Sequence, residues 1–322
     1  MSRAHAAIDA LRAWTPEVDG WIIAIGALAA VACAVPGTLL VARRQSMAAD
    51  GIAHAVLPGI AGAFLLSGTR DLAWMAGGAA VAAVAMSAGS AFLERRLRVE
   101  RDAALGIAYT ALFALGLALV VRAADGVDID PSCVLFGAIE FAPLDRVTAG
   151  GRAVPRAALV IAATAGANVA VAALAWRPIL ASSFDRGFAR AAGARPAACD
   201  AIVGAMATAT CVACFESLGS VIVVAMLVVP ACAARLACAR LVPMAALAAA
   251  FGCGATVLGH VAACVAAPVA GLDASGVREL STAGCVAAAL GACFAGAAGA
   301  RAVMSRNRPV DGAHAASLPC AP

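Results

Sequence analysis

The chain has no lysine: all 23 of its Lys and Arg positions are arginine. A Walker A loop needs a lysine on the nucleotide phosphates, so this chain is not its own P-loop ATPase. Charge of both signs is scarce, at 13% of 322 residues against 63% hydrophobic. Soluble domains carry about 25% charged residues, which excludes an ordinary soluble fold. Segments of alternating apolar and polar residues are also missing, which argues against a transmembrane barrel. There is no HExxH, the motif an intramembrane metalloenzyme would need. Of 12 cysteines, Cys211 and Cys214 form the only CxxC, and no second pair completes a zinc site. The remainder sit singly among alanines, as at Cys33 and Cys264, and read as small apolar fillers. The net charge of +4 gives no basis for a nucleic-acid partner, and none is expected.

What the chain does have is a succession of apolar runs of roughly 20 residues, the length that crosses a bilayer as a helix. These predict an all-α, polytopic helical membrane protein of eight or nine transmembrane helices. The expected spans are 21–42, 46–67, 72–93, 103–122, 157–176, 199–215, 217–236, 243–266 and 280–300. Residues 1–20 and 301–322 are expected as polar tails around one transmembrane domain, 21–300, and the first apolar run as a true span rather than a signal peptide. Segment 132–156 reads as a short helix and an interfacial piece, because it breaks at Pro143 and then collects Arg146, Arg152 and Arg156. Loops on one side hold 15 of the 23 arginines, including Arg43, Arg44, Arg95, Arg96, Arg186 and Arg190. The positive-inside rule makes that side cytoplasmic, with Asp125, Asp128 and Asp130 outside.

Few residues carry chemistry. In RRQSMAADGIAHAVLPG, residues 43–59, Asp50 precedes His54 by four. That spacing puts both on one helix face, where carboxylate and imidazole suit a divalent ion such as manganese, iron or zinc. The alternative is a polar pair bonded to neighbouring helices, or Asp50 as a cap. Pro58 has no N–H for the His54 carbonyl, so that carbonyl is free for an ion or water. Pro230 frees the Met226 carbonyl in the same way, and a kink is expected there. Glu216 reads either as an intramembrane ligand or gate, or as part of an outer turn in water. His260, in VLGHVAAC, reads as a packing residue. In SSFDRGFARAAGARP, residues 182–196, apolar Phe184, Phe188, Ala189, Ala192 and Gly193 alternate with Arg186, Arg190 and Arg195. This reads as a solvated connector or as a short amphipathic docking helix for a partner's groove.

Several stretches together resemble the permease subunits of ABC importers for manganese, zinc and iron. These are RRQSMAADGIAHAVLPGIAGAFLL, ERDAALGIAYTALFALGLAL at 100–119, LFGAI at 135–139, SFDRGFARAAG at 183–193 and SLGSVIVVAMLVVPACAARL at 217–236. The resemblance spans about residues 30–300. It implies the vitamin B12-importer-like (type II) permease architecture in a bacterial cytoplasmic membrane. It implies a separate ATP-binding subunit, a second permease copy or paralogue, and an extracytoplasmic metal-binding protein. It places a metal position at Asp50 and His54 and a coupling loop at 183–193, with Phe184, Asp185, Arg186, Phe188, Ala189 and Gly193 facing the ATPase. The expected ion is cargo, with no permanently bound cofactor and ATP used only through the partner. The chain departs from the pattern at Ala53, where serine is frequent, and at Val277–Leu280, which carries Arg278 and Glu279. Glu216 falls where the family varies, so its role as a ligand rests on its own setting. An ion-coupled secondary carrier is the other function considered, although no inverted repeat with paired broken helices is evident.

Overall fold

An apolar run in lipid must satisfy its own backbone hydrogen bonds, which leaves the helix as the solution for each span. The computed structural model describes residues 14–69, 71–124, 139–149, 151–270 and 280–306. The expected tails at 1–13 and 307–322, the acidic loop, the short helix at 132–138 and the charges at 278 and 279 lie outside them. In chain order the helices are α1 (Asp19–Ala42), α2 (Ser46–Ser67), α3 (Leu72–Leu97), α4 (Arg101–Ala124), α5 (Arg156–Leu174), α6 (Trp176–Phe184), α7 (Arg186–Ala191), α8 (Pro196–Ala237), α9 (Leu241–Ala270) and α10 (Thr282–Arg306). Among the described residues, 8 helices are long and apolar enough to cross a membrane. The interfacial piece is a β-hairpin, β1 (Arg146–Ala149) against β2 (Arg152–Pro155), antiparallel with Val147 opposite Val154. Its Arg146 donates to the carbonyls of Pro143 and Glu17, which ties the hairpin to the start of α1.

The two spans expected between 199 and 236 form one 42-residue helix, α8, interrupted at Gly219. The packing register shows what this interruption does. A Cβ on Gly252 would press on Ala30 and one on Gly26 on Thr256, so α1 and α9 run antiparallel and α9 begins where α1 ends. The start of α8 is at that same end, since Arg43 bonds Asp200. Only residues 238–240 separate the last turn of α8 from α9. Both ends of α8 therefore lie at the arginine-rich end, and the helix doubles back at Gly219. Its halves, 196–218 and 220–237, are about 34 and 27 Å long at 1.5 Å per residue, each enough for one pass. Among the described residues, the 8 long helices thus make nine passes. Pro58 and Pro230 both lie inside helical segments, and the break in α8 falls at Gly219 rather than near Pro230.

Gly219 has φ 75° and ψ 163°, a region essentially confined to glycine. Gly219→Val is expected to cost on the order of 3 kcal/mol, read as a lower thermal midpoint of the detergent-purified protein. An unchanged midpoint would show that a β-branched residue tolerates this turn.

Helix α1 runs through the core, with Ile25, Ala29, Ala32 and Cys33 fully buried. Cys211 and Cys214 of α8 are buried in the same core cluster as Cys33. Asn168 of α5 donates to the Ala32 carbonyl (3.2 Å) and to Thr210 Oγ1 (2.7 Å). That buried amide links α1, α5 and α8, and its satisfaction matters because unpaired polar groups at this depth are costly. Helices α3 and α4 instead turn large apolar residues outward, among them Val81, Val84, Phe92, Ile107 and Leu115, as a surface in contact with hydrocarbon requires.

Candidate ion site and coupling element

Asp50 and His54 occupy successive turns of α2, and their side chains meet: Asp50 Oδ1 lies 3.4 Å from His54 Nε2. Both are partly exposed, the aspartate 30% and the histidine 23%, so the pair is reachable from outside the chain. The His54 ring stacks on Tyr109 at 5.8 Å between centroids and meets Phe113 edge-on at 5.0 Å. Tyr109 also stands close to the Asp50 carboxylate. Among the described residues, His54 Nδ1 is buried without a hydrogen-bond partner. An ion bound at about 2.0–2.2 Å to one oxygen and one nitrogen holds those atoms roughly 3.3 Å apart in tetrahedral geometry. The observed separation matches that spacing.

The aromatic pair also reports the depth of the site. Counted along α2, Asp50 is only one turn from Ser46, close to the arginine-rich end. Counted along α4, its neighbour Tyr109 lies about 12 Å from Arg101. Gly51 makes this approach possible, as a Cβ there would meet Met86 Sδ at 3.1 Å and Tyr109 Cδ1 at 3.3 Å. Higher on the same interface, a Cβ on Gly116 would lie 2.7 Å from Pro58 N. The α4 backbone thus rests on the turn whose hydrogen bond proline removes. The pair lies one to two turns in from the arginine-rich end, partly exposed and backed by the sole tyrosine of the chain.

Glu216 is not part of this pair. It is exposed, three residues before the Gly219 turn, and lines a cleft of about 210 Å³ with Asp145, Arg156, Phe141 and Ile60. Ile60 is six residues beyond His54 on α2, away from the arginine-rich end. The cleft therefore lies on the far side of the pair.

The six residues expected to dock divide into two groups. Phe184 and Phe188 project outward, 70% and 64% exposed. The other four hold the shape. Asp185 caps α7, accepting from the Gly187 and Phe188 N–H groups at 2.7 and 3.0 Å. Arg186 bonds Asp200 at 2.6 Å, Ala189 is fully buried, and Gly193 has φ 80°. Sequence reasoning missed what holds this element to the bundle. Arg43, its side chain 3% exposed, donates to Asp200 (2.6 Å), Ser182 (2.8 Å), Ser183 (3.0 Å) and the Ile179 carbonyl (3.3 Å). Burial lowers the Arg43 pKa, while Asp200 opposes that shift. Arg43 is seven residues before Asp50, so α6 and α7 connect through one guanidinium to the turn that leads into the ion pair.

Asp200→Asn leaves that guanidinium buried without its carboxylate. It is expected to destabilise the chain by on the order of 3 kcal/mol, measured as a fall in thermal midpoint. No change would show that the two serines and the Ile179 carbonyl suffice.

The same helical fold is found in solved transporter structures. The structure superposes on PsaBC from Streptococcus pneumoniae in complex with Fab with a TM-score of 0.70, at 24% identity over 90% of this chain and 94% of that one. It superposes on a metal-chelate type ABC transporter in an inward-facing conformation with a TM-score of 0.56, at 14% identity. The chain thus has the multi-pass helical fold of a type II ABC importer. Sequence comparison narrows the class: residues 20–272 match the ABC 3 transport family, and the chain belongs to it. It is 38% identical over 246 residues to the manganese transport system membrane protein MntD of Bacillus subtilis, covering 75% of this chain and 82% of that protein. It is 32% identical over 209 residues to the zinc transport system membrane protein TroD of Treponema pallidum, covering 65% of this chain and 57% of that protein. The chain is therefore the membrane subunit of an ABC transport system, whose ATPase is a separate subunit.

Proposed function

We propose that this permease moves a divalent metal ion, manganese or zinc, into the cytoplasm, and that the ion passes between Asp50 and His54. The observation that carries this is the 3.4 Å approach of one carboxylate oxygen and one imidazole nitrogen on an otherwise apolar helix. Tyr109 and Phe113 hold the ring, and the ring holds the carboxylate oxygen at 3.4 Å, so the two donors are set before the ion arrives. Two ligands do not fill a metal's coordination sphere. The partial exposure of the pair lets a second permease copy or a paralogue supply the remainder. Fewer, preset ligands also suit passage, since an ion held by a full cage leaves slowly.

The arginine-rich end faces the cytoplasm by the positive-inside rule. An extracytoplasmic metal-binding protein delivers the ion at the opposite end, near the cleft that Glu216 lines. The ATP-binding subunit seats Phe184 and Phe188 in an apolar groove, the helix-in-groove mode. Movement of that subunit is carried from α6 and α7 through Arg43 to the α1–α2 turn, and so to Asp50. Reconstitution into proteoliposomes with an ATP-binding subunit and a metal-delivery protein tests this. ATP-dependent accumulation of manganese or zinc is expected. Accumulation that continues without the ATPase would favour an ion-coupled carrier and overturn the proposal.

A further inference from the structure

His260 is buried, 2% exposed, yet it is not surrounded only by apolar atoms. Its Nε2 faces Asp19 Oδ1 at 3.2 Å and Cys264 Sγ at 3.9 Å. The three ligand atoms lie within 4.8 Å of one another. These residues come from two helices. Asp19 opens α1, while His260 and Cys264 stand four apart on one face of α9. We propose that Asp19, His260 and Cys264 form a second divalent-metal site, of zinc type, at the end of the bundle opposite the coupling element.

Three features separate this cluster from a chance meeting of polar groups. The first is spacing. Zinc bonds of about 2.0 Å to nitrogen and oxygen and about 2.3 Å to sulfur place tetrahedral ligand atoms roughly 3.3–3.6 Å apart. The observed 3.2 and 3.9 Å bracket that range. The second is support behind each donor. His260 Nδ1 lies 3.3 Å from Thr282 Oγ1, so the ring nitrogen away from the cluster has its own partner and Nε2 is left to bind. Metal-binding histidines are commonly fixed in this way. Asp19 is held similarly: its Oδ2 accepts from the Thr15 N–H (2.6 Å) and hydroxyl (3.1 Å), which leaves Oδ1 for His260. The Thr282 N–H donates to Glu140 at 2.9 Å, fixing the start of α10. The third is the donor set. Oxygen, nitrogen and sulfur together select zinc over manganese, which favours oxygen ligands. Trp14 covers the ring edge-on at 5.5 Å.

This site is separate from the Asp50–His54 pair. It is built on α1 and α9 rather than α2, and Asp19 begins the helix that ends beside Arg43. Three protein ligands leave a fourth position for water. Binding displaces the thiol proton of Cys264, and the bound ion joins α1 and α9 directly, with α10 held through Thr282. Its existence does not depend on Asp50 and His54 carrying the cargo.

Zinc binding to the full-length permease carrying His54→Ala, which removes the other imidazole site, tests the proposal. After dialysis against zinc, metal analysis is expected to find about one zinc per chain. Adding Cys264→Ala, which removes only a half-buried sulfur, is expected to reduce this to near zero, and His260→Ala likewise. Cobalt in place of zinc should give thiolate-to-cobalt absorption in the parent and none in the Cys264→Ala protein. Equal zinc content with and without Cys264, or no zinc in the parent, would overturn the site. If His260→Ala does not fold, the Cys264→Ala comparison decides.

Discussion

His54→Ala is expected to reduce ATP-driven metal uptake by at least about 100-fold, while the protein still inserts and binds its ATPase subunit. Groups that merely support a metal ligand already cost 10–100-fold when removed, and loss of a ligand itself is more severe. The substitution removes Nε2, the atom 3.4 Å from Asp50 Oδ1, and leaves the carboxylate without the imidazole. Assembly should survive because His54 is partly exposed and contacts Tyr109 and Phe113 only by its ring. Tyr109→Phe provides the contrast: it loses only the hydroxyl near Asp50 and keeps the stacked ring, so a reduction nearer 10-fold is expected. Uptake by proteoliposomes under matched ATPase loading measures both. Normal uptake by His54→Ala would show that the ion passes elsewhere, with the Glu216 cleft the next place to look.

Phe184→Glu combined with Phe188→Glu is expected to separate the permease from its ATPase. Two exposed aromatic rings, 70% and 64% accessible on one short element, have no partner within the described chain. Buried aromatic anchors at interfaces contribute about 2 kcal/mol or more each, and a charge placed in an apolar groove adds a desolvation cost. Affinity for the ATPase subunit should therefore fall by roughly 1000-fold, seen as loss of co-purification and of ATP-dependent uptake. The four other residues of the element predict a different outcome. Asp185 caps α7 and Arg186 bonds Asp200, so their alanine variants should weaken the shape of the element more than the contact. Full co-purification of the double glutamate variant would move the docking surface away from α6 and α7.

Much of this architecture was legible in the sequence because bilayer thickness sets run length. The expected span 46–67 coincides with α2, and the other expected spans lie within a few residues of helices. The Asp50–His54 pairing was legible for a local reason: residues four apart on a helix share a face. The stretch that exposes Phe184 and Phe188 was legible from two phenylalanines among arginines. Local pattern did not reach groups that meet across long separations. Arg43 and Asp200 are 157 residues apart, and Asp19 and His260 are 241 apart. His260 seemed a packing residue because its sequence neighbours are apolar. Its partner is on another helix, at a register that only packing decides. Tyr109 was within a quoted family marker, but its role depends on α4 lying against α2.

The sequence by itself determined that this is a multi-span helical membrane protein without a Walker A loop, since composition, run length and missing lysine need no tertiary contact. Tertiary structure alone decided that α8 turns back at Gly219, that Arg43 ties α6 and the start of α8 to the turn before α2, and that Asp19, His260 and Cys264 meet. Such features depend on how helices align along one another, and small apolar residues permit many alignments. The choice among those alignments comes from close backbone contacts and the pairing of a few buried polar groups.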